Sequence, residues 1–402
     1  MFLLRLVALT FLLAASTGIS EERKATAEQR YAAAAAYLQS KNGHAMLVYE
    51  DGKLVYEKYL NGYKPDQPHR LASGTKSFSG AMAVAAAMDG LLSFDEPVSK
   101  TLLEWKEDER LSKITIRQLL QLNSGIEPGD NGAVPSYEDA IRVRAIDEAG
   151  NKFRYGPNAF MVFGELMRRK LDGKHESPLA YLEDRIFKPI GLRHGPWRKD
   201  DAGNPHMPSG AFITAREWAK FGLLIQNQGR WNGATILDET LLKECFSPAK
   251  ANPSYGITFW LGRGQGLPED LVMAAGAGKQ KLYIVPSMDL LVVQLAEAKR
   301  YQESVFMKHI LDGHAGKISD VEIKEVATDP VGAPPRRGMN RTGDRLEEMF
   351  REMDKDNDGK INREEGSRMR RFDELDTNED GFISLDEVMR LFQSPQPLRP
   401  AR

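Results

Sequence analysis

The stretch from Arg70 to Gly90 reads Arg-Leu-Ala-Ser-Gly-Thr-Lys-Ser-Phe-Ser-Gly-Ala-Met-Ala-Val-Ala-Ala-Ala-Met-Asp-Gly. Its segment 78–88 is nearly all small or apolar, which is typical of a helix buried on every side, and Gly90 is a suitable stop. We expect Ser73 to lie in the first turn of this helix, with Lys76 three residues further along on the same face. The spacing therefore places an amine beside a hydroxyl group.

This pairing is chemically useful because a serine hydroxyl group becomes a good nucleophile only when a neighbouring base takes its proton. Unpaired N–H groups at a helix start can also stabilise the oxyanion of an acyl-transfer reaction. The pattern alone is weak, because the segment 247–250, Ser-Pro-Ala-Lys, matches it too. Pro248 and the following Asn252-Pro253 indicate a loop there. The helical context favours Ser73 and Lys76.

Composition narrows the class of protein. The chain has 402 residues, 41% hydrophobic and 28% charged, which is enough for a large core and more than one domain. A net charge of −2 gives no positive field, so we exclude nucleic acid as a partner. The seven histidines show no HxxxH or HxH spacing, which makes a metal-dependent hydrolase or a Ser-His-Asp triad the poorer account. The single cysteine, Cys245, is interpreted as a packing residue.

Residues 1–20 differ from the rest of the chain. Arg5 precedes an apolar run, residues 6–15, and small residues then lead into a charged segment, residues 21–24. This pattern predicts a signal peptide, residues 1–20, and a periplasmic or secreted protein without a membrane span after cleavage. A retained N-terminal anchor is the alternative, since no clean cleavage motif is visible.

The periodicity of the following chain predicts an α/β fold. An alanine-rich helix over 26–40 precedes a hairpin, in which strands 45–49 and 54–59 flank Asp51-Gly52. Residues 97–246 are predicted as mostly helical, with amphipathic pieces at 116–122, 159–171 and 215–224. Strands over 255–261, 282–285 and 290–295 and a helix over 303–311 follow. We expect one antiparallel sheet flanked by helices plus a mostly helical subdomain, together spanning residues 21–318.

Several motifs occur in an order that resembles a known family. They are Arg70–Lys76, Gly90–Val98, Ile114–Leu120, Phe153–Pro157, Pro208–Gly210, Ala219–Gly222 and Tyr255–Ile257. Over residues 25–315 the chain is similar to the serine β-lactamase and penicillin-binding protein superfamily, in its class C β-lactamase, esterase and D-aminopeptidase branch. The resemblance implies that Ser73 is the acylated nucleophile, Lys76 its paired base and Tyr155 a second base or proton shuttle.

Two positions depart from the family pattern. Pro157 stands where the family commonly has an asparagine that holds the substrate amide, and Asn158 follows as the candidate substrate-binding residue. The family's third motif begins with Lys or His, whereas this chain has Ala274-Ala275-Gly276. Gly276 still permits close approach of a substrate, and the N–H of Ala277 would be the second oxyanion donor beside that of Ser73.

These departures shape the functional expectation. The missing basic residue helps to hold a substrate carboxylate in the family, so its absence at Ala274 favours an ester or amide over penicillins and peptidoglycan peptides. Compensation by Lys279 or Lys281 stays open. We expect an exported serine hydrolase of the esterase, β-lactamase or D-amino-acid peptidase type, acting on a small-molecule or peptide substrate or on a cell-envelope component. The alternative is a non-catalytic binding protein that retains the fold, as Pro157 and Ala274 suggest.

The C-terminal region changes character. Residues 319–343 are rich in Pro and Gly and predict a linker, residues 344–393 a small all-α pair of EF-hands, and residues 394–402 a tail. Two segments, 354–365 and 376–387, fit the twelve-residue EF-hand calcium loop. The predicted Ca²⁺ ligands are Asp354, Asp356, Asp358, Lys360, Asn362 and Glu365 in the first loop and Asp376, Asn378, Asp380, Phe382, Ser384 and Glu387 in the second. Only residues 366–375 separate the loops, which favours a structural or tethering role over signalling.

Overall fold

The computed structural model describes residues 25–263, 266–311, 353, 360–366, 372–376 and 380–384. The chain divides into two units, Met1–Pro330 and Val331–Arg402. The predicted signal peptide 1–20, linker 319–343 and tail 394–402 lie outside the described residues. Within the described part of the chain, no helix has the length and apolar character needed to cross a membrane.

The first unit alternates helices and strands. Its described α-helices are α1 (Ala27–Ser40), α2 (Lys76–Met88), α3 (Ile116–Leu120), α4 (Tyr137–Ala140), α5 (Asn158–Lys170), α6 (Pro178–Leu182), α7 (Ala215–Gln226), α8 (Glu239–Glu244) and α9 (Glu303–Leu311). Its described strands are β1 (Gly43–Glu50), β2 (Lys53–Tyr59), β3 (His69–Arg70), β4 (Phe212–Ile213), β5 (Arg230–Trp231), β6 (Ala234–Thr235), β7 (Trp260–Leu261), β8 (Val272–Gly276), β9 (Gln280–Val285) and β10 (Leu290–Ala296).

The main sheet has the strand order β2-β1-β10-β9-β8-β7, and each neighbouring pair is antiparallel. Strands from the two ends of the unit therefore meet in one sheet, where β1 pairs with β10. The β1–β2 hairpin turns at Asp51 and Gly52, whose φ angles of 48° and 71° suit a tight turn. The β9–β10 connection ends at Asp289, which is also left-handed with φ 46°.

Helices cover both faces of this sheet. On one face α7 packs closely, because a Cβ atom at Gly222 would lie 2.4 Å from Leu291 Cδ1 and 2.8 Å from Leu282 Cδ1. On the other face Tyr283, the next residue along β9, donates a hydrogen bond to Glu303 of α9 (2.7 Å). Adjacent strand residues point to opposite faces, so α7 and α9 lie on opposite sides. Helix α1 packs against α9 and β1.

Helix α2 is the central element of the helical part. All residues from Lys76 to Ala86 are buried, which confirms the prediction of a helix buried on every side. It packs against α5, α6 and α8. The alanines and glycine of this helix permit such close neighbours: a Cβ atom at Gly80 would lie 2.3 Å from Thr258 Oγ1.

Most of the predicted elements are present, with shifted ends. Helix α1 begins one residue after Thr26, whose side chain closes a capping box with Gln29. The predicted strand 255–261 is wrong for most of its length, because only Trp260–Leu261 forms a strand. The left-handed backbone of Thr258 (φ 67°) interrupts the extended conformation there. Cys245 follows α8 and is fully buried, and burial raises the pKa of its thiol, in agreement with a packing role.

The described part of the second unit contains a short helix, α10 (Phe372–Leu375), and two strands, β11 (Lys360–Asn362) and β12 (Phe382–Ser384). The strands pair antiparallel, with Ile361 opposite Ile383. Both isoleucines are fully buried and cluster with Phe372. This pair of strands was not predicted from the sequence, which indicated helices and loops alone.

Candidate active site

Strand β3 leads directly into the turn that carries Ser73. Here the Leu71 N–H donates to the Ala211 carbonyl oxygen (2.9 Å), and the Ala211 N–H donates to the Thr75 hydroxyl oxygen (3.2 Å). Ala72 has a left-handed backbone with φ 46°, a strained conformation for a non-glycine residue and one that is common at functional sites. Ser73 lies in the 3-10 turn Ala72–Thr75 that precedes α2, so the prediction that it sits inside the first turn of that helix is wrong by one turn.

Lys76 lies beside the hydroxyl group of Ser73. Its Nζ donates to Ser73 Oγ at 3.2 Å and to the carbonyl oxygen of Pro208 at 3.1 Å. The side chain is only 3% exposed, and Nζ lies 4.8 Å from the ring centre of Tyr155 and 5.3 Å from that of Phe160. The amine is thus held against the hydroxyl group by one backbone oxygen and two aromatic rings.

Tyr155 reaches the same place from the segment before α5. Its ring packs 5.9 Å from Trp260 and 6.3 Å from Phe153, and Tyr255 completes the cluster. Burial and the nearby Tyr155 raise the pKa of Tyr255 well above its usual value, so Tyr255 stays neutral. The structure therefore brings together the three residues predicted as catalytic, Ser73, Lys76 and Tyr155. Tyr155 also packs within a cluster of aromatic side chains.

The end of β8 closes tightly against the Ser73 turn. A Cβ atom at Gly276 would lie 2.1 Å from the carbonyl oxygen of Leu71 and 3.0 Å from the Gly74 nitrogen. Only glycine fits this approach. Ala277, the next residue, lines the cavity in front of Ser73. Its role as the second oxyanion donor stays a prediction.

A cavity of about 130 Å³ opens above the nucleophile. It is lined by Arg70, Ala72, Ser73, Lys76, Asn131, Val134, Pro157, Arg198, Pro208, Ser209 and Ala277. Three of these residues, Asn131, Val134 and Arg198, were not anticipated. They lie on loops without hydrophobic periodicity, and a sequence signal for them is weak, apart from the turn formed by Gly129-Asp130-Asn131-Gly132.

Asn158, predicted to bind substrate, points elsewhere. Its Nδ2 donates to the Glu127 carbonyl oxygen at 3.0 Å, and the residue is only 8% exposed. Gly129 leaves room for this amide, because a Cβ atom there would lie 2.2 Å from Asn158 Oδ1. Asn158 is thus a support for the loop that carries Asn131, while Pro157 lines the cavity itself.

The two lysines considered as substitutes for the missing basic residue also lie elsewhere. Lys281 is fully buried on the α9 side of the sheet, where its Nζ lies 3.2 Å from Glu303 Oε2. Lys279 occupies the β8–β9 turn with a left-handed φ of 69° and is not among the described residues that line the cavity. Neither lysine compensates for Ala274.

In the described parts of the two EF-hand loops, carboxylate side chains accept hydrogen bonds from backbone N–H groups of the same loop. The Asp376 carboxylate accepts from the N–H groups of Gly381 (2.9 Å) and Asp380 (3.1 Å), and the Phe382 N–H donates to Asp380 Oδ1 (2.9 Å). In the first loop the Asn362 N–H donates to Glu365 Oε2 (3.1 Å).

Four of the predicted Ca²⁺ ligands lie on the paired strands β11 and β12, where Lys360 is opposite Ser384 and Asn362 is opposite Phe382. This set of carboxylate, amide, hydroxyl and carbonyl oxygens suits Ca²⁺. The other predicted ligands, Asp354, Asp356, Asp358, Asn378 and Glu387, lie outside the described residues.

Comparisons with known proteins identify the family and the fold of the chain. A family model described as Beta-lactamase matches residues 28–316, well over half of the chain. The chain belongs to the beta-lactamase family. EF-hand domain models match residues 345–365 and 369–392, so this beta-lactamase-family protein also carries two EF-hand calcium-binding domains.

Relatives of known name match over part of their length. Protein flp of Staphylococcus aureus strain MW2 is 27% identical over 186 residues, which are 41% of this chain and 36% of the relative. The protein flp of strain MRSA252 is 25% identical over the same shares. The chain thus spans about a third of the length of these relatives, and the match concerns that part alone.

Solved structures share the fold. A Bacillus anthracis protein described as a candidate 6-aminohexanoate-dimer hydrolase has a TM-score of 0.61 at 21% identity and covers 69% of this chain and 80% of its own. EstCE1, a hydrolase with promiscuous acyltransferase activity, has a TM-score of 0.60 at 16% identity and covers 71% and 97%. An octameric penicillin-binding protein homologue from Pyrococcus abyssi has a TM-score of 0.57 at 18% identity and covers 72% and 78%. The beta-lactamase-like serine hydrolase fold is therefore established for the first unit.

Proposed function

We propose that this chain is a serine hydrolase that forms an acyl-enzyme on Ser73 and hydrolyses an ester or an amide. The observation that carries the proposal is the 3.2 Å contact between Lys76 Nζ and Ser73 Oγ at the base of a cavity. Membership of the beta-lactamase family and the fit of Gly276 against the Ser73 turn support it.

In the first half of the reaction, Ser73 Oγ attacks the substrate carbonyl carbon, and its proton passes to the neutral Lys76 amine, directly or through Tyr155. The N–H groups of Ser73 and Ala277 stabilise the oxyanion. The bond from the carbonyl carbon to the leaving group then breaks, and the leaving group takes that proton.

In the second half, water attacks the acyl carbon and gives its proton to the same residues. The bond to Ser73 Oγ breaks, a carboxylic acid leaves, and the proton returns to the serine oxygen. The hydroxyl group and the neutral amine are both restored, so the cycle needs no cofactor.

A fluorophosphonate probe with an intact-mass readout tests the proposal directly. We expect one adduct on the wild-type protein and none on Ser73→Ala. Lys76→Met should slow labelling by about 10²–10⁴-fold, which is the usual contribution of a positioned base. Lys243→Met, at an exposed helix position, is the matched control. Labelling that persists in Ser73→Ala would rule out this site.

The second candidate function is a non-catalytic binding protein, which Pro157 and Ala274 favour because both replace family residues that hold substrate. In that case the wild-type protein would resist the probe while still folding, as judged by circular dichroism. Absence of an adduct at millimolar probe concentration therefore favours the binding protein over the hydrolase.

The lining of the cavity supports a proposal for the substrate class. A small cavity and the absence of a basic residue at position 274 favour a short acyl group carried as an ester or amide. We expect hydrolysis of short-chain p-nitrophenyl esters when these are assayed beside nitrocefin and D-Ala-D-Ala peptides. Faster turnover of nitrocefin or of the peptides would assign the site to β-lactams or cell-wall peptides instead.

Export and the role of the calcium unit belong to the same proposal. The composition of residues 1–20 supports a signal peptide and a periplasmic or secreted location. A structural or tethering role for the EF-hand pair fits calcium-rich surroundings outside the cell. Mass determination of the protein from the cell envelope and from the medium should give a chain that lacks this N-terminal segment.

A further inference from the structure

The chain contains four Asn-Gly dipeptides, at residues 42–43, 61–62, 131–132 and 232–233. An asparagine followed by glycine is prone to spontaneous deamidation, because glycine has no side chain to hinder attack of its backbone nitrogen on the asparagine side chain. The reaction needs a side-chain amide without fixed partners and a glycine nitrogen that can approach it. The fold therefore decides which of the four dipeptides can react.

Two of the four asparagines are held by hydrogen bonds. Asn42 Nδ2 donates to the Glu297 carbonyl oxygen at 3.2 Å. Asn61 Nδ2 donates to the carbonyl oxygens of Gln39 (3.1 Å) and Gly43 (2.9 Å). Both asparagines also have left-handed backbones, with φ angles of 64° and 50°. In that conformation the nitrogen of the next residue is turned away from the asparagine side chain, so the fold protects both sites.

Asn131 lacks this protection. Its side chain is exposed and forms no hydrogen bond with the residues that the structure describes, and its φ angle is not in the left-handed region. Asn131 and Gly132 are the central residues of a turn, which the Ala133 N–H closes by donating to the Asp130 carbonyl oxygen at 3.1 Å. The Gly132 N–H donates to Asp130 Oδ1 at 2.8 Å, so a proton acceptor lies at the nitrogen that must attack.

We propose that Asn131 deamidates spontaneously and thereby brings a negative charge into the active-site cavity. The Gly132 nitrogen loses its proton and bonds to Asn131 Cγ, the bond from Cγ to the side-chain nitrogen breaks, and ammonia leaves with that proton. Water then opens the resulting succinimide at either carbonyl group and gives aspartate or isoaspartate. Asn131 lines the cavity, and none of the described lining residues is acidic, so the product adds a carboxylate where this lining has none.

The effect on turnover rests on the proposed hydrolase function. A carboxylate in the cavity repels an anionic substrate and leaves a neutral one largely unaffected. We compare kcat/KM for mono-p-nitrophenyl glutarate, an anionic ester, with kcat/KM for p-nitrophenyl acetate, a neutral one. In the aged protein the ratio of the first to the second should fall about threefold or more, and 0.5 M salt should reduce this fall.

Peptide mapping by mass spectrometry tests the modification without any activity. The full-length protein is incubated for several weeks at pH 8 in native buffer and, separately, in urea. In native buffer the peptide with Asn131 should gain the mass difference between an amide and an acid and separate into aspartate and isoaspartate forms, while Asn42 and Asn61 stay intact. In urea these two should react as well. No mass gain at Asn131 in native buffer, or an equal gain at Asn61, overturns the inference.

Asn131→Gln is the matched variant, because glutamine keeps the amide but cyclises far more slowly. Asn232→Gln is the control, since Asn232 turns the β5–β6 hairpin and is not among the described residues that line the cavity. The ester ratio should fall with age in the wild type and in Asn232→Gln and stay constant in Asn131→Gln. A constant ratio in the deamidated wild type, or an equal fall in Asn131→Gln, overturns the effect on substrate charge. If no ester is hydrolysed, the hydrolase proposal fails and the mass measurement alone decides this one.

Discussion

Gly276 shows how a single missing side chain controls this site. Strand β8 reaches the Ser73 turn so closely that a Cβ atom would lie 2.1 Å from a backbone oxygen, which cannot move aside as a flexible side chain could. The same contact sets the position of Ala277, whose N–H is the proposed second oxyanion donor. The absence of a side chain at Gly276 therefore lets β8 lie close enough to the Ser73 turn to place the proposed oxyanion donor.

We predict that Gly276→Val lowers the rate of fluorophosphonate labelling and kcat by about 10²–10³-fold, the usual cost of losing one oxyanion donor. The added side chain pushes β8 away from the Ser73 turn. Ala234→Val, on the exposed strand β6, is the control and should keep full activity. Normal labelling of a folded Gly276→Val protein would contradict the proposed oxyanion site.

Helix α9 is attached to the sheet by buried charges rather than by apolar contacts alone. Lys281 of β9 and Glu303 of α9 form an ion pair with both side chains fully buried, and Tyr283 donates a further hydrogen bond to the same carboxylate. Burial and the Glu303 charge raise the pKa of Tyr283 well above its usual value, so its hydroxyl group stays a donor. These contacts fix how α9 docks on β9.

Breaking this pair on one side should be costly. Glu303→Gln leaves the Lys281 ammonium buried without its counter-charge, and we expect a loss of about 3–5 kcal/mol in the free energy of unfolding. The double variant Lys281→Met/Glu303→Gln should recover much of this loss. Urea unfolding measures both, with Lys243→Met, from an exposed pair, as a control expected to change stability by less than about 1 kcal/mol. Equal stability of the wild type and Glu303→Gln would refute a charged pair.

A second element contact joins β1 to β3 through two histidines. His69 Nδ1 must donate to the Arg70 carbonyl oxygen (2.9 Å), so in the neutral ring His69 Nε2 accepts from His44 Nδ1 at 2.8 Å. Burial lowers the pKa of both rings, and each also lies near the Glu297 carboxylate, which acts in the opposite direction. Tyr63 stacks on His44 with its ring centre 5.0 Å away.

This arrangement predicts a pH dependence of stability. Because the folded pKa values lie below the ordinary value of about 6.5, the unfolded chain binds protons more readily. The contribution of the pair is therefore complete above pH 6.5 and is lost as the pH falls through the folded pKa values. His44→Gln should flatten the decrease in unfolding free energy between about pH 7 and pH 5, whereas His309→Gln should not. An identical pH profile for the wild type and His44→Gln would contradict this role.

At the scale of the whole molecule, a hydrolase unit is followed by a calcium unit in one chain. The described core of the second unit is small, with Ile361, Ile383 and Phe372 as its buried apolar residues. Because metal binding is coupled to folding in small calcium-binding domains, bound Ca²⁺ should contribute to the folding free energy of this unit.

Calcium should accordingly raise the Tm of the full-length protein, or of a separate second transition, by mass action. At a free concentration 100 times Kd the stabilisation is about 2.7 kcal/mol per site. Asp376→Asn, at the first position of the second loop, should reduce the shift, and Asp66→Asn in the first unit should not. Calorimetric scans in EDTA and in millimolar Ca²⁺ give the measurement. Identical scans in the two buffers would contradict the prediction that calcium stabilises the protein.

The sequence alone determined the elements whose signal is local. The buried helix α2, the hairpin at Asp51-Gly52, the Ser73 and Lys76 spacing and the EF-hand loops were all predictable, because turn chemistry, helix periodicity and ligand spacing act over a few residues. Family resemblance added the order of the motifs and the candidate role of Tyr155.

Only the tertiary structure decided which distant residues share the cavity. Arg198 reaches it because a bridge between Trp197 and Ala211 runs beside the pairing of β3 with β4, and Asn158 leaves it because its amide is taken up by the loop at Glu127. Lys281 faces α9 because adjacent strand residues point to opposite sides of the sheet. Such outcomes depend on packing between segments far apart in the chain, which no local pattern records.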